Sequence, residues 1–334
     1  MASMKEVAKK AGVSIATVSA VVNGNKYVSE ELRERTENVI KELNYRPNRS
    51  ARSLKGKKTN LLGLTVTEIT NPYYPALIKG VEELAFEQNY NVILSTTNDE
   101  VNKELKLLES MMDQGVDGII LTTVDHKASE VLTLVEKAGI PHVLINRAPE
   151  NYEGSCVYVN SVKVGEIATN HLVSLGHKRI AFVSGRRQNS SDREVGFRNV
   201  MAENGLQADE ELIVDGNYDE DRTYKLAMSL LQLPKEKRPT AVFAASDSMA
   251  FAVARACLDQ NMSIPGDLSI IGSDNVPFSS DFRVPLTTVD VKADRIGKIG
   301  FSFLEEMMTN PQEFIHKKEK IEPSLVVRQS TGPL

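Results

Sequence analysis

The residues with chemistry to offer lie just after the apolar runs of this sequence. Asn71-Pro72-Tyr73-Tyr74 follow Leu61–Val66, and Asn146-Arg147 follow His142–Ile145. Arg193 comes after the run that ends at Ser184, and Tyr218 lies in the loop after Leu212–Val214. Ser246-Asp247 and Ser273-Asp274 follow two later runs. Aromatic rings stack on the CH faces of a sugar, while Asp, Asn and Arg fork onto its paired hydroxyls. Tyr73, Tyr74, Asn146, Arg147, Arg193, Tyr218, Asp247 and Asp274 are therefore the candidate effector-binding set. Arg193 and Asp274 carry most weight, because purely structural roles for both would need them paired with each other. Asp247 stands equally well as the cap of a helix beginning at Ser248. Tyr73 and Tyr74 fit the packing of a cleft mouth, and Tyr218 the cover of a core edge.

The elements that would position these residues alternate regularly. Strand-like runs at Leu61–Val66, Val92–Ser95, Gly118–Thr122, His142–Ile145, Ile180–Ser184, Thr240–Ala245 and Leu268–Gly272 are mostly separated by helix-length segments. Those segments include Ala76–Gln88, Lys103–Gln114, Val162–Leu175 and Ser248–Gln260. Such βα alternation with near-continuous apolar strands implies parallel sheets covered on both faces. A stretch this long divides more naturally into two lobes than into one sheet. Ligands of open α/β sheets gather at the carboxyl ends of the strands, where the candidates lie.

The 334 residues carry a formal charge of −5, distributed unevenly. Residues 1–60 hold 13 Lys and Arg against 6 acids; the remainder holds 27 against 39. A basic head on an acidic body points to a module for polyanions. No apolar run reaches the roughly 20 residues of a membrane-spanning helix. The N-terminus lacks the apolar core of a secretory signal, and Cys156 and Cys257 have no metal-ligand spacing, so a reducing cytosol is expected. There is no G-x-S-x-G, H-E-x-x-H, Walker lysine or G-x-G-x-x-G after a strand. The five histidines are scattered. No catalysis, metal or cofactor is expected.

In the head, Ser3-Met4-Lys5-Glu6 reads as a capping box, followed by Met4, Val7, Ala8 and Ala11 on one helical face. Gly12 suits a left-handed turn, and Ser14 caps a second helix whose inner face is Val18, Val21 and Val22. Ser29 opens a third helix, with Leu32, Thr36, Val39, Ile40 and Leu43 inward. This is a helix-turn-helix pattern. Ser14 and the outer residues Ile15, Ala16, Thr17, Ser19 and Ala20, with Asn23 and Ser29, form the candidate DNA face. Its hydroxyls and amide suit phosphate oxygens, and Ile15, Ala16 and Ala20 suit thymine methyls. Next comes Asn48-Arg49-Ser50-Ala51-Arg52-Ser53-Leu54, shorter than the roughly 12–15 residues an isolated helix needs. Such a segment folds only against something, and Leu54 between basic residues suits a wedge between base steps of the minor groove. A linker with one stray leucine is the plainer alternative.

KEVAKKAGVSIATVSAVVNG followed by LNYRPNRSARSLKGKKT resembles the head and hinge of the LacI/GalR family of bacterial repressors. The resemblance runs along the whole chain. It implies a helix-turn-helix head over 1–46, a hinge over 47–59 containing Asn48 and Leu54, and a two-lobed effector-binding and dimerisation core over 60–334. The core would have the periplasmic-binding-protein type I fold, α/β in both lobes, with the ligand cleft between them. By resemblance, Arg193 and Asp274 bond sugar hydroxyls and Tyr218 is an aromatic platform. Asn146-Arg147 matches an Asp-Arg pair of sugar-binding relatives, with Asn in place of Asp. The hinge helices would pair across a homodimer, their leucines inserting together. In one departure, Thr17-Val18-Ser19-Ala20 stands where the family usually has Thr-Val-Ser-Arg with a base-reading Arg.

The expected protein is a cytoplasmic, dimeric repressor binding operator DNA, of palindromic form, under control of a small sugar, with no membrane partner. Residues 329–333 contain no leucine heptad, so dimers rather than tetramers are expected. The alternatives are a regulator of the same family answering to a phosphorylated carrier protein, a sugar-binding protein without a DNA role, and an enzyme of unknown type.

Overall fold

The computed structural model describes residues 2–24, 26–45, 58–123 and 129–334, and the hinge candidates Asn48 and Leu54 lie outside these ranges. The chain divides into two units, Met1–Thr59 and Asn60–Leu334.

The first unit contains α1 (Met4–Ala11), α2 (Ile15–Asn23) and α3 (Glu30–Glu42). The capping box is formed: the Glu6 N–H donates to Ser3 Oγ, and Glu6 Oε2 accepts from the Ser3 N–H at 2.6 Å. Gly12 takes φ of 64°, so α1 stops within a residue of where α2 must turn away. Val7, Ala8, Ala11, Val18, Val39 and Tyr45 form the small core between the three helices.

The second unit is two α/β lobes. Lobe 1 has a six-stranded sheet made of β1 (Leu61–Val66), β2 (Asn91–Thr96), β3 (Gly118–Leu121), β4 (His142–Asn146), β5 (Cys156–Val159) and β11 (Lys318–Ile321), in the order β11-β5-β4-β3-β1-β2. Around it pack α4 (Tyr73–Glu87), α5 (Val101–Asp113), α6 (Ser129–Lys137) and α12 (Ala293–Thr309). Lobe 2 has β6 (Ile180–Ser184), β7 (Ile213–Asp215), β8 (Ala241–Ala244), β9 (Ser269–Asp274), β10 (Thr287–Asp290) and β12 (Ser324–Val326), in the order β12-β10-β9-β8-β6-β7. Its helices are α7 (Ser161–Ser174), α8 (Gln188–Glu203), α9 (Glu220–Leu231), α10 (Asp247–Asp259) and the short α11 (Phe278–Asp281).

Every strand pair is parallel except β10 with β12. The central strands β3, β8 and β9 are buried along their whole length, as apolar strands covered by helices on both faces must be. The chain crosses between lobes three times, at β5 to α7, β10 to α12 and β11 to β12.

In lobe 2, α7 and α8 touch backbone to backbone. A Cβ at Gly165 would strike the Arg193 carbonyl, and one at Gly196 would strike the Val162 carbonyl. Only glycine permits this crossing, which seats α8 and its polar N-terminal turns at the cleft.

Candidate functional site

Four strand ends meet at the cleft in unusual backbone conformations. Asn146 closes β4 with φ of 74°, Asn98 and Asp99 follow β2 at 56° and 58°, Asn217 and Tyr218 follow β7 at 52° and 56°, and Asp274-Asn275 close β9 at 124° and 54°. Left-handed backbone at non-glycine residues costs free energy and persists where the surroundings over-determine it. Here it turns the Asn146, Tyr218 and Asp274 side chains off their strand ends into the cleft.

The cleft is lined by Asn71, Tyr73, Tyr74, Asn146, Arg187, Asn189, Arg193, Tyr218 and Asp274, and the lobes close on a cavity of about 20 Å³. That is room for a single water. From lobe 1, the Tyr73 hydroxyl donates to Asn146 Oδ1 at 2.7 Å, and its ring meets Tyr74 edge-to-face. From lobe 2, Asn189 Nδ2 donates to the same Asn146 oxygen at 3.1 Å. Asn189 and Arg193 are four residues apart on α8, so both face inward. Arg193 is 4% exposed; it donates to the Ala245 carbonyl and lies 3.5 Å from Asp274 Oδ1. Burial pushes the Asp274 carboxyl up to about 8, against the pull of Arg193. Tyr218 lies flat against Gly185, where any Cβ would collide with the ring.

Two polar atoms in this wall are buried without a hydrogen-bond partner, Asn189 Oδ1 and Arg193 Nε. Buried polar atoms are nearly always satisfied, so an acceptor and a donor left open at one cleft mark a place for a ligand that both donates and accepts. A hydroxyl does both.

A cross-lobe clasp stands beside the cavity. Arg187, at the head of α8, donates to Asp99 Oδ2 at 2.7 Å and to Glu68 Oε1 at 2.8 Å, both in lobe 1. Its guanidinium also lies 4.3 Å from the Tyr218 ring centroid. Burial opposes the Asp99 charge, but Arg187 and Arg147 outweigh it and hold that carboxyl below its usual range.

Six of the eight sequence candidates, Tyr73, Tyr74, Asn146, Arg193, Tyr218 and Asp274, meet in this wall. Arg147 and Asp247 do not. Arg147 turns inside lobe 1, donating to Asp99 at 3.0 Å, to Thr67 Oγ1 and to the Thr122 carbonyl, because Asp99 neutralises a guanidinium that is otherwise sealed from water. Asp247 is fully buried. It accepts from the Val276 N–H at 2.9 Å, the Ser279 hydroxyl at 2.7 Å and the Thr288 hydroxyl at 2.5 Å, tying α10 to the loop after β9 and to β10. Nor does it cap α10 by its side chain: Ser246 accepts the Met249 N–H. Asn71, noted in the sequence beside Tyr73 but left out of the candidate set, joins the wall; the residues that sequence reasoning missed are Arg187 and Asn189, with Glu68 and Asp99 behind them. Arg187 and Asp99 lie just past the ends of β6 and β2, so the strand-end rule applied to every strand would have found them.

On α2, Ser14 Oγ accepts the Thr17 N–H at 3.0 Å and shares a 2.9 Å hydrogen bond with the Thr17 hydroxyl. Ile15 is 44% exposed, Ala16 is exposed, and Thr17 and Ser19 are half-buried. Asn23 ends α2, its side chain outside the described residues. Ser29 is exposed at the start of α3 without a side-chain cap bond, so it opens that helix by backbone alone. Ala20 departs from the expected outer face: it is 6% exposed. A single methyl lies close to its own helix and needs little to cover it.

A family model described as bacterial regulatory proteins, lacI family, matches residues 3–48, and one described as periplasmic binding protein-like domain matches residues 169–331. The HTH-type transcriptional repressor PurR of Vibrio campbellii is 34% identical over the whole of both chains. The chain belongs to the LacI family. The ribose operon repressor of Escherichia coli is 35% identical over 93% of this chain and 94% of its own. A structure of the lac repressor dimer bound to operator and the anti-inducer ONPF superimposes with a TM-score of 0.86 at 25% identity, covering 99% of each chain. This LacI-family chain is thus a DNA-binding transcription regulator and not an enzyme. Among the described residues no helix is long and apolar enough to cross a membrane, and no cluster of His, Cys, Asp and Glu is arranged to hold a metal ion.

Proposed function

We propose that the protein is a cytoplasmic, homodimeric repressor whose hold on a palindromic operator is released by a small sugar bound between the lobes. The observation that carries the effector reading is the closed cleft itself. Its open donor and acceptor, Arg193 Nε and Asn189 Oδ1, stand beside Asp274 and the rings of Tyr73, Tyr74 and Tyr218. The relative named for a ribose operon supports a sugar over other small polar ligands. Tyr73, Tyr74, Asn146, Arg193, Tyr218 and Asp274 contact the sugar, while Arg147 acts through Asp99 and Asp247 through the loop it ties.

On DNA, Ser14, Thr17, Ser19, Asn23 and Ser29 set register on phosphates, and Ile15 and Ala16 contribute apolar touches in the major groove, from which the buried Ala20 is withdrawn. Asn48 and Leu54 belong to a hinge that folds on the minor groove, with Leu54 as the wedge. The control is linkage. A cleft that holds about one water must open to admit a sugar, and a different lobe angle changes the spacing of the two hinges in the dimer. The effector acts only through its differential affinity for the two lobe arrangements.

The test is to select fragmented genomic DNA with the purified full-length protein at two salt concentrations. The selected site is then titrated with a panel of pentoses and hexoses. Enrichment of a palindrome that survives high salt, and its release by one sugar, is the expected result. Operator affinity unmoved by every sugar but raised by a phosphorylated carrier protein would overturn the sugar reading.

A further inference from the structure

Next to the closed cleft lies a larger space. A chamber of about 390 Å³ opens where the β4–β5 connection, the start of α7, the start of α8 and the edge strand β11 come together. That volume is typical of a small-molecule site, whereas the 20 Å³ cleft is not. Asn146 and Asn189 line both spaces, and the 3.1 Å hydrogen bond between them, one residue from each lobe, is part of the wall between the two. A ligand that takes over either amide joins cleft and chamber.

The chamber has its own chemistry. Gln188 Oε1 is a second buried acceptor without a partner beside Asn189 Oδ1, and both residues line it. Two open acceptors call for donors, such as hydroxyls, and repel a phosphate or carboxylate. Of the charged lining, Arg147 is neutralised by Asp99 at 3.0 Å, and Lys318 and Lys320 are matched by Glu150 and Asp192, so no excess of positive charge is left to favour an anion. Tyr158 adds an aromatic wall suited to the CH face of a ring.

We propose that the effector is a two-unit glycoside, with one sugar ring between Arg193, Asp274 and Tyr218 in the cleft and a second, uncharged, hydroxyl-bearing unit in the chamber beyond Asn146 and Asn189. The inference rests on the sugar reading of the cleft and adds the size and charge of the ligand.

Calorimetric titration of the full-length protein with matched probes tests it: ribose, glucose, galactose and mannose against cellobiose, lactose, maltose and the methyl glycosides. One disaccharide is expected to bind at least tenfold tighter than its component monosaccharide. Val162→Trp, which fills the chamber from the start of α7, should abolish that advantage and leave monosaccharide affinity within about twofold. Gln188→Leu, a milder change at the head of α8, should weaken the disaccharide roughly tenfold, the effect of one lost hydrogen bond in a closed site. Equal affinity for the two classes, or a disaccharide preference that survives both substitutions, refutes the two-unit ligand while leaving the sugar reading standing. No binding by any probe sinks the sugar reading, and this inference with it.

Discussion

Removing the Arg187 clasp should loosen the closure of the two lobes. Arg187 is the only side chain among the described residues seen to join α8 to both Glu68 and Asp99. In Arg187→Ala both cross-lobe bonds disappear, but no buried charge is stranded. Asp99 keeps Arg147 at 3.0 Å, and Glu68, with 25% of its side chain exposed, returns to water. A charge-assisted hydrogen bond in a shielded setting contributes about 1.5–3 kcal/mol. The carboxylates are 25% and 35% exposed and hydrate once the lobes part, which pulls each bond toward the low end. Together they stabilise the closed arrangement by about 2–3 kcal/mol, a shift of roughly 30- to 150-fold in the open–closed equilibrium. The assay is single-molecule fluorescence transfer between dyes on Lys106→Cys in lobe 1 and Lys237→Cys in lobe 2, both exposed positions. Cys156 and Cys257 are buried, so labelling is selective. Arg187→Ala should move most molecules to a longer inter-dye distance, and Arg187→Lys, which keeps the charge but loses the fork, should fall between. An unchanged distance distribution in Arg187→Ala would refute the clasp as a determinant of closure.

Three other outcomes follow from the site. Asp274 is held above its ordinary carboxyl range, up to about 8, so the folded protein binds this proton more tightly than the unfolded chain. Stability from this group is present at acid pH and lost as pH rises through about 8; the melting temperature of wild type minus that of Asp274→Asn should be larger at pH 6 than at pH 8.5, and parallel curves would refute the burial argument. Asp247→Ala strands the Val276 N–H and the Ser279 and Thr288 hydroxyls; urea denaturation should show a loss of about 3–5 kcal/mol. Ala20→Arg should tighten operator binding by about 1–3 kcal/mol and sharpen selectivity at one base pair, read by gel shift on single-base operator variants.

Much of the fold was legible because its signals are local. Ser3 with Glu6 and Ser14 with Thr17 are three residues apart, and both caps form where the sequence places them. Leu61–Val66 and Ile180–Ser184 are strands over those same residues, since an apolar run flanked by polar loops has few other ways to be buried. The sheets also contain β5, β10, β11 and β12, short strands of three or four residues that were not foreseen. β11 carries three charges in Lys318-Glu319-Lys320 and pairs only with β5, so no apolar pattern announces it.

The site divides in the same way. That a strand end would carry Asn146 or Asp274, and the helix after β6 would carry Arg193, follows from chain order alone, because parallel sheets put every carboxyl end on one side. Which of those side chains face the cleft depends on partners distant in sequence. Arg147 is consumed by Asp99, 48 residues away; Asp247 by groups 29 to 41 residues on; and Arg187 reaches Glu68 across 119 residues and two lobes. Caps, periodicity and chain order are properties of neighbours, and the sequence determines them by itself. The satisfaction of buried charge is a property of the packed interior, where a carboxylate must take whichever donor the fold brings within 3 Å, and only the tertiary structure decides it.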